Sequence, residues 1–123
     1  MPSQAARATK QDPPLLLRET IGSIAVITFN RPETRNTLSE EAIAGLHAAL
    51  DEIGANKTIR ALVIAAKGPA FSSGHDLKQL TAHRSDADGG RAYFAKTMTA
   101  CSEMMQARRP EDLNLFVDRL RVR

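Results

Sequence analysis

Nine residues, Gly68 to Asp76 (GPAFSSGHD), set two glycines, two serines, a histidine and an aspartate between the apolar run IRALVIAA and the segment LKQL, which could open a helix. Glycines between a strand and a helix commonly present backbone amides to something negative, so two chemistries compete: a phosphate or a developing oxyanion. A Walker A loop needs GxxxxGK[ST]. Here Gly68 and Gly74 stand one residue too far apart, and His75 and Asp76 follow where the lysine and hydroxyl would be. No GxGxxG occurs either, so the usual patterns for a nucleoside triphosphate or a dinucleotide are absent.

The oxyanion fits better. Gly74 can take a positive φ without steric cost, and such a turn would send the His75 amide outward where a helix begins. Asp76 and Gln79 have capping-box spacing, which would fix that start. Amides aimed in advance at a carbonyl oxygen are what a thioester enzyme needs, since losing one donor costs on the order of 2.7–4 kcal/mol of transition-state stabilisation. The chemistry would then fall on an acyl group. A Gly-rich turn with an Asp cap also occurs in α/β proteins that bind nothing there, and spacing alone leaves both open.

Other reactive residues are sparse. His47, His75 and His83 have no HExxH or similar spacing, and Cys101 is the sole cysteine, so no metal site and no internal disulfide is expected. Glu40 and Glu41 fall in the first turn of a helix, where acids favour the positive end of the dipole. His83 reads as solvent-exposed in a polar loop, His47 as helix surface or core edge, and Met98, Met104 and Met105 as core packing.

The elements that must position the nine residues follow from periodicity. Residues 1–14 end in Pro13 and Pro14 and read as a flexible lead-in. LLLRE and IAVITF, separated by Thr20 to Ser23, suggest a hairpin. Thr37 and Glu40 have capping-box spacing, Ile43, Leu46, Leu50 and Ile53 recur at helical intervals, and Gly54 is placed to end a helix from about Leu38 to Ile53. Ile59 to Ala66 reads as a strand buried on both faces. The order β-β-α-β implies an α/β fold with a mixed or parallel sheet and a crossover helix. A further helix is expected over Arg91 to Ala107, with Phe94, Met98, Cys101 and Met105 inward. HRSDADGG before it reads as a mobile surface loop. The tail, with Leu113, Phe116, Val117 and Leu120 on one helical face, reads as a last helix.

At 123 residues the chain has room for one domain burying roughly two-thirds of its unfolded surface. No apolar run approaches the roughly 20 residues that would span a bilayer, and the N-terminus lacks an apolar signal core, so no membrane partner is expected. Arg7 and Lys10 precede the first acid, Asp12, which leaves a short presequence open. The net charge of +3 is dispersed, and one tyrosine and four phenylalanines give little to stack bases on, so nucleic acid is a remote partner.

ITFNRPETRNTLS (Ile27 to Ser39), followed some thirty residues later by GPAFSSGHDLKQL (Gly68 to Leu80), resembles the N-terminal half of the crotonase superfamily, the enoyl-CoA hydratase/isomerase proteins. The forms RNTLS and FSSGHDLK are similar to the branch called enoyl-CoA hydratase domain-containing protein 3. The resemblance covers residues 15–106 and implies half of a spiral of β-β-α units, followed by a divergent tail over 107–123. It also implies acyl-CoA thioesters as ligands, with coenzyme A arriving as part of the substrate and no separate cofactor. Lyase or isomerase chemistry in fatty-acid metabolism and a usually trimeric assembly are implied with them.

By the same resemblance the backbone N–H of His75 is the first of two oxyanion donors. Ser73, Gly74, Asp76, Leu77 and Lys78 line the thioester and pantetheine end, Lys78 also reaching a phosphate or the adenine. Glu33, Thr34 and Arg35 run beside the adenosine portion. Common relatives have lysine and leucine where Glu33 and Arg35 stand, so Arg35 is expected to offset an acid near phosphates. Many carry a small residue in place of His75. The second donor and the downstream acids, which the family places after the next strand, have no counterpart in RRPEDLNLFVDRLRVR. The resemblance therefore implies an acyl-CoA hydratase or isomerase relative with little or no activity by itself, or a catalytically inactive CoA-binding or protein-interaction module pairing as a homo- or hetero-oligomer. The expected compartment is cytoplasmic, or mitochondrial in a eukaryote.

Overall fold

A computed structural model describes residues 13–107 and, through the backbone, 114–122. Strand β1 (Leu16–Ile21) turns at Gly22 and Ser23 into β2 (Ile24–Phe29), the pair running antiparallel from Leu16↔Phe29 to Ile21↔Ile24. So short a reversal needs a left-handed residue, and Gly22 supplies it with φ 61°. Helix α1 (Glu40–Ala55) then crosses over to β3 (Ala61–Lys67), parallel to β2. Helices α2 (Leu77–Ala82) and α3 (Arg91–Gln106) follow, and β4 (Asn114–Val122) lies parallel to β3, giving the order β1-β2-β3-β4.

The core forms where one sheet face meets α1. Ala25, Ile27 and Phe29 of β2 and Leu62, Ile64 and Ala66 of β3 pack with Ile43, Leu46, Leu50 and Ile53, the helical stripe expected from the sequence. On the other face Val26, Ala61 and Val63 are only half-buried, so β3 is not sealed on both sides as its apolar run suggests. Two terminal signals also fall elsewhere. Ser39, not Thr37, caps α1, its hydroxyl accepting from Ala42 N–H at 3.1 Å. Gly54 lies inside the helix, which ends at Asn56. Propensity costs a single glycine only about 1 kcal/mol, less than the buried Ile53 beside it returns.

The inward face of helix α3 matches the expected one only in part. Met104 is buried and Cys101 packs against the core, as expected, with Ala100 beside it, whereas Phe94 and Met105 are 53% and 62% exposed. Small residues explain the choice: Ala100 and Thr97 face α1 across a cleft of ≈ 440 Å³ floored by Ile43, Ala44 and Ala48, where a phenylalanine would hold the helices apart. Tyr93 O–H donates to Glu40 Oε2 at 3.1 Å at one end of that cleft. Burial and the neighbouring Glu40 carboxylate both push the Tyr93 phenol above its ordinary value.

The tail departs from expectation outright: 114–122 is a strand, not a helix. Its backbone pairs with β3 from Ala61↔Asn114 to Lys67↔Val122, with one irregularity between Ile64 and Ala66. Residues 108–113, which held part of the proposed helix, lie outside the described residues, as does most of the 1–14 lead-in.

HRSDADGG is tied down rather than loose. His83 begins a short 3-10 helix (His83–Ser85), its Nδ1 lies 2.8 Å from Asp86 Oδ2, and its ring stacks on Tyr93 at 3.5 Å between centroids. The imidazole is thus half-buried and engaged, not simply solvated.

Candidate functional site

The two motifs singled out in the sequence meet at the C-terminal ends of β2 and β3. After β2 the chain forms a 3-10 turn (Pro32–Thr34) and then places Arg35 and Asn36 at φ 56° and 54°, two successive left-handed residues without glycine. Such a pair is costly for ordinary side chains, and asparagine is among the few that tolerate it. Asn36 holds the conformation. It is 2% exposed, its Oδ1 accepts from Arg31 N–H at 2.8 Å, and its Nδ2 donates to the carbonyls of Lys67 at 2.9 Å and Ala70 at 3.1 Å. One amide side chain therefore fastens the loop after β2 to the loop after β3. Asn36 is not among the residues that motif spacing singles out; its signal is an asparagine at the end of a turn, NRPETRN, where a left-handed residue is wanted.

Gly68 lets the loops close. At φ 93°, a Cβ built there would stand 2.5 Å from Pro32 Cβ, so only glycine fits. Further along, Ser73 N–H donates to Arg35 C=O at 2.9 Å, Leu38 N–H to Gly74 C=O at 2.7 Å and Asp76 N–H to Leu38 C=O at 3.3 Å. The last two of these bonds form an isolated parallel bridge between Leu38 and His75.

The bridge decides where the His75 amide points. Gly74 has φ 86°, the positive value expected, and its carbonyl is held by Leu38. In a planar trans peptide the carbonyl and the following N–H point in opposite directions, so His75 N–H faces away from Leu38. Among the described residues it has no hydrogen-bond partner. Asp76 caps α2, Oδ1 accepting from Lys78 N–H at 2.9 Å and Gln79 N–H at 3.3 Å. The reciprocal half of the capping box is missing. Gln79 reaches α1 instead, accepting from Glu40 N–H at 2.8 Å and donating to Glu41 Oε2 at 3.0 Å. Glu41's own backbone amide, then Gln79, hold that carboxyl below its ordinary value.

The other expected site residues lie on the same two loops and in the first turn of α2, with unequal engagement. Glu33, Thr34 and Arg35 are exposed on the turn beside Ser73, whose hydroxyl lies 3.5 Å from Thr34 C=O. Glu33 meets Arg31 at 3.8 Å, so Arg31 rather than Arg35 is its cationic neighbour. The Arg31 guanidinium also donates to the carbonyls of Pro13, Pro14 and Asn30, anchoring the start of the described chain to this turn. Leu77 and Lys78 are exposed in the first turn of α2. Leu77, Leu80 and Phe94 line an open cleft of ≈ 530 Å³ with Arg84, Arg91 and the Gly89–Gly90 turn. The His75 imidazole is half-buried, with Nδ1 shielded from solvent and without a partner among the described residues. No cluster of three or more metal-binding side chains occurs among the described residues, and no helix among them is long and apolar enough to cross a membrane.

Comparison with known proteins gives this arrangement relatives. The profile of a family described as enoyl-CoA hydratase/isomerase matches residues 19–116, a span that takes in the start of β4. The human mitochondrial enoyl-CoA hydratase domain-containing protein 3 is 34% identical over 104 residues, 85% of this chain and 32% of that protein. Its mouse counterpart is 35% identical over 103 residues, 84% and 33%. A crystal structure of the human protein superposes with a TM-score of 0.73 at 30% identity, covering 85% of this chain and 39% of that one. An enoyl-CoA hydratase from Mycobacterium smegmatis gives 0.75 at 33% identity with the same coverages. The chain thus spans about a third of the length of the curated relatives it matches.

Proposed function

Because the chain belongs to the enoyl-CoA hydratase/isomerase family, we propose that it binds acyl-CoA thioesters with the His75 N–H donating to the thioester carbonyl. The observation that carries this reading is an amide without a partner among the described residues, turned away from Leu38 by the bridge that engages the carbonyl of its own peptide. A donor held this way needs no reorganisation when negative charge develops on the oxygen.

The remaining residues take complementary parts. Ser73, Gly74, Asp76, Leu77 and Lys78 border the thioester and pantetheine, with the Lys78 ammonium free to approach a phosphate. Glu33, Thr34 and Arg35 flank the adenosine end, and Arg31 beside Glu33 reduces the penalty of an acid near phosphates. Coenzyme A enters as part of the substrate. Family chemistry places a second donor and the acids that hydrate or isomerise the acyl chain at or beyond the strand after α3. The assignment to residues 13–107 is accordingly thioester binding and carbonyl polarisation, and turnover is a property of a completed site. The compartment proposed is cytoplasmic, or mitochondrial in a eukaryotic host.

Calorimetric titration with a non-hydrolysable acyl-CoA analogue tests the reading. Saturable binding is expected, weakened by His75→Pro, which deletes the N–H; circular dichroism verifies that the variant is folded. No binding by folded wild type would sink the proposal. A second role, association through protein contacts, is favoured by exposed Leu77, Phe94 and Met105, with Leu77 at 72%. Sedimentation of the chain over a concentration series decides it, and a monomer throughout would remove self-association.

A further inference from the structure

We propose that Ser72 is the positioning residue for the His75 amide, an assignment that rests on reading this amide as the thioester donor. The sequence directs attention to Ser73, yet Ser73 is exposed and its hydroxyl makes only the 3.5 Å approach to Thr34. Ser72 Oγ is half-buried, donates to Asn36 C=O at 2.8 Å and accepts from Gly74 N–H at 3.1 Å. A hydroxyl carries one donor and two acceptor positions, so both contacts are satisfied at once and in the right sense.

The consequence is geometric. Gly74 has no side chain to restrict it, and nothing lies within 4 Å of where its Cβ would be, so packing does not hold this residue at φ 86°. Its N–H is held by Ser72 and its C=O by Leu38. With both ends of the glycine fastened, the plane of the next peptide is fixed, and that peptide carries the His75 N–H. Ser72 also consumes the Gly74 amide, which prevents two adjacent donors from competing for one oxygen. Through Asn36 the tie continues to Lys67, Ala70 and Arg31, so the donor is referenced to both strand ends.

Two measurements on Ser72→Ala and Ser72→Thr test this. Amide hydrogen exchange by NMR on the free chain should show Gly74 protected in wild type and in the threonine variant. In the alanine variant Gly74 exchange accelerates while Leu62 and Ile64 stay as in wild type. Affinity is then compared for two coenzyme A analogues of equal chain length, a ketone with methylene in place of sulfur and an S-alkyl thioether that lacks the carbonyl. Ser72→Ala should cut the preference for the ketone roughly three- to tenfold, the range set by one neutral hydrogen bond, leave the thioether affinity unchanged, and be rescued by threonine. Unchanged Gly74 protection, or equal weakening of both analogues, overturns the assignment. If wild type binds neither analogue, the thioester reading fails, while the dependence of Gly74 protection on residue 72 still decides whether Ser72 holds the loop.

Discussion

The loop pair around Asn36 and the outer side of α3 are built on opposite terms. Both polar atoms of the buried Asn36 side chain are matched, and two left-handed residues and a glycine at φ 93° are held by bonds that cross between loops. On α3 the polar accounts are simple, but Phe94 and Met105, with Leu77 nearby, leave large apolar surface in water. The contrast teaches which part of the proposed thioester site the described residues supply. Backbone direction is settled within residues 31–76, whereas the apolar surface beside it is left uncovered among the described residues.

The comparison predicts unequal sensitivity. Asn36→Ala should be the most damaging change, lowering stability by about 3–5 kcal/mol in denaturant titration, because it strands one buried N–H and two carbonyls and leaves alanine in a left-handed conformation. Gly68→Ala comes next, at about 2–4 kcal/mol, from the Pro32 collision added to backbone strain. Gly74→Ala has the strain without the collision and should cost only about 1–2 kcal/mol. If the two glycine variants prove equal, the close approach of Gly68 to Pro32 is not what holds the loops.

On the α3 side the effects shrink. Asp88 caps this helix from outside, Oδ2 accepting from Ala92 N–H at 2.8 Å and Oδ1 from Gly90 N–H at 2.9 Å. Those amides, Ala92 foremost, hold its carboxyl below the ordinary 3.8. A depressed folded-state value means the cap's contribution is complete above the unfolded value and is lost as pH falls through the lowered one. Protection of the amides in the first turn of α3, taken relative to their intrinsic exchange, should therefore fall on acidification below about pH 4, and Asp88→Asn should flatten that response. Smallest of all, Phe94→Ser with Met105→Gln should change unfolding free energy by no more than about 0.5 kcal/mol per site. A larger loss would show that this surface is packed in solution.

Short apolar runs made β1, β2 and β3 readable, and helical spacing did the same for α1 and the extent of α3, because those signals lie within each element's own residues. It failed where a distant partner chose. Leu113, Phe116, Val117 and Leu120 fit a helical stripe, yet the free edge of β3 recruits 114–122 as a strand, and β preference depends on such neighbours. The inward face of α3 was misjudged in part because its apolar residues are spread round the helix and α1 selects the small ones. At the site, Gly74, His75 and Asp76 were legible from turn and cap chemistry. Asn36 and Ser72 were not, since the carbonyls and amides they serve lie up to 36 residues away.

That separation also gives the site an order of birth. As the chain is synthesised, Arg35 and Asn36 emerge more than thirty residues before Lys67, Ala70 and Ser72 exist to receive them, a wait of roughly 2–7 s at typical elongation rates. Throughout that interval the first motif has no template for its left-handed pair, and the second cannot orient its glycine without the first. The loop geometry on which the proposed acyl-CoA contact rests is therefore absent from the nascent hairpin and from any intermediate that has yet to dock β3. On that proposal, ligand recognition becomes a report that the long-range closure has taken place.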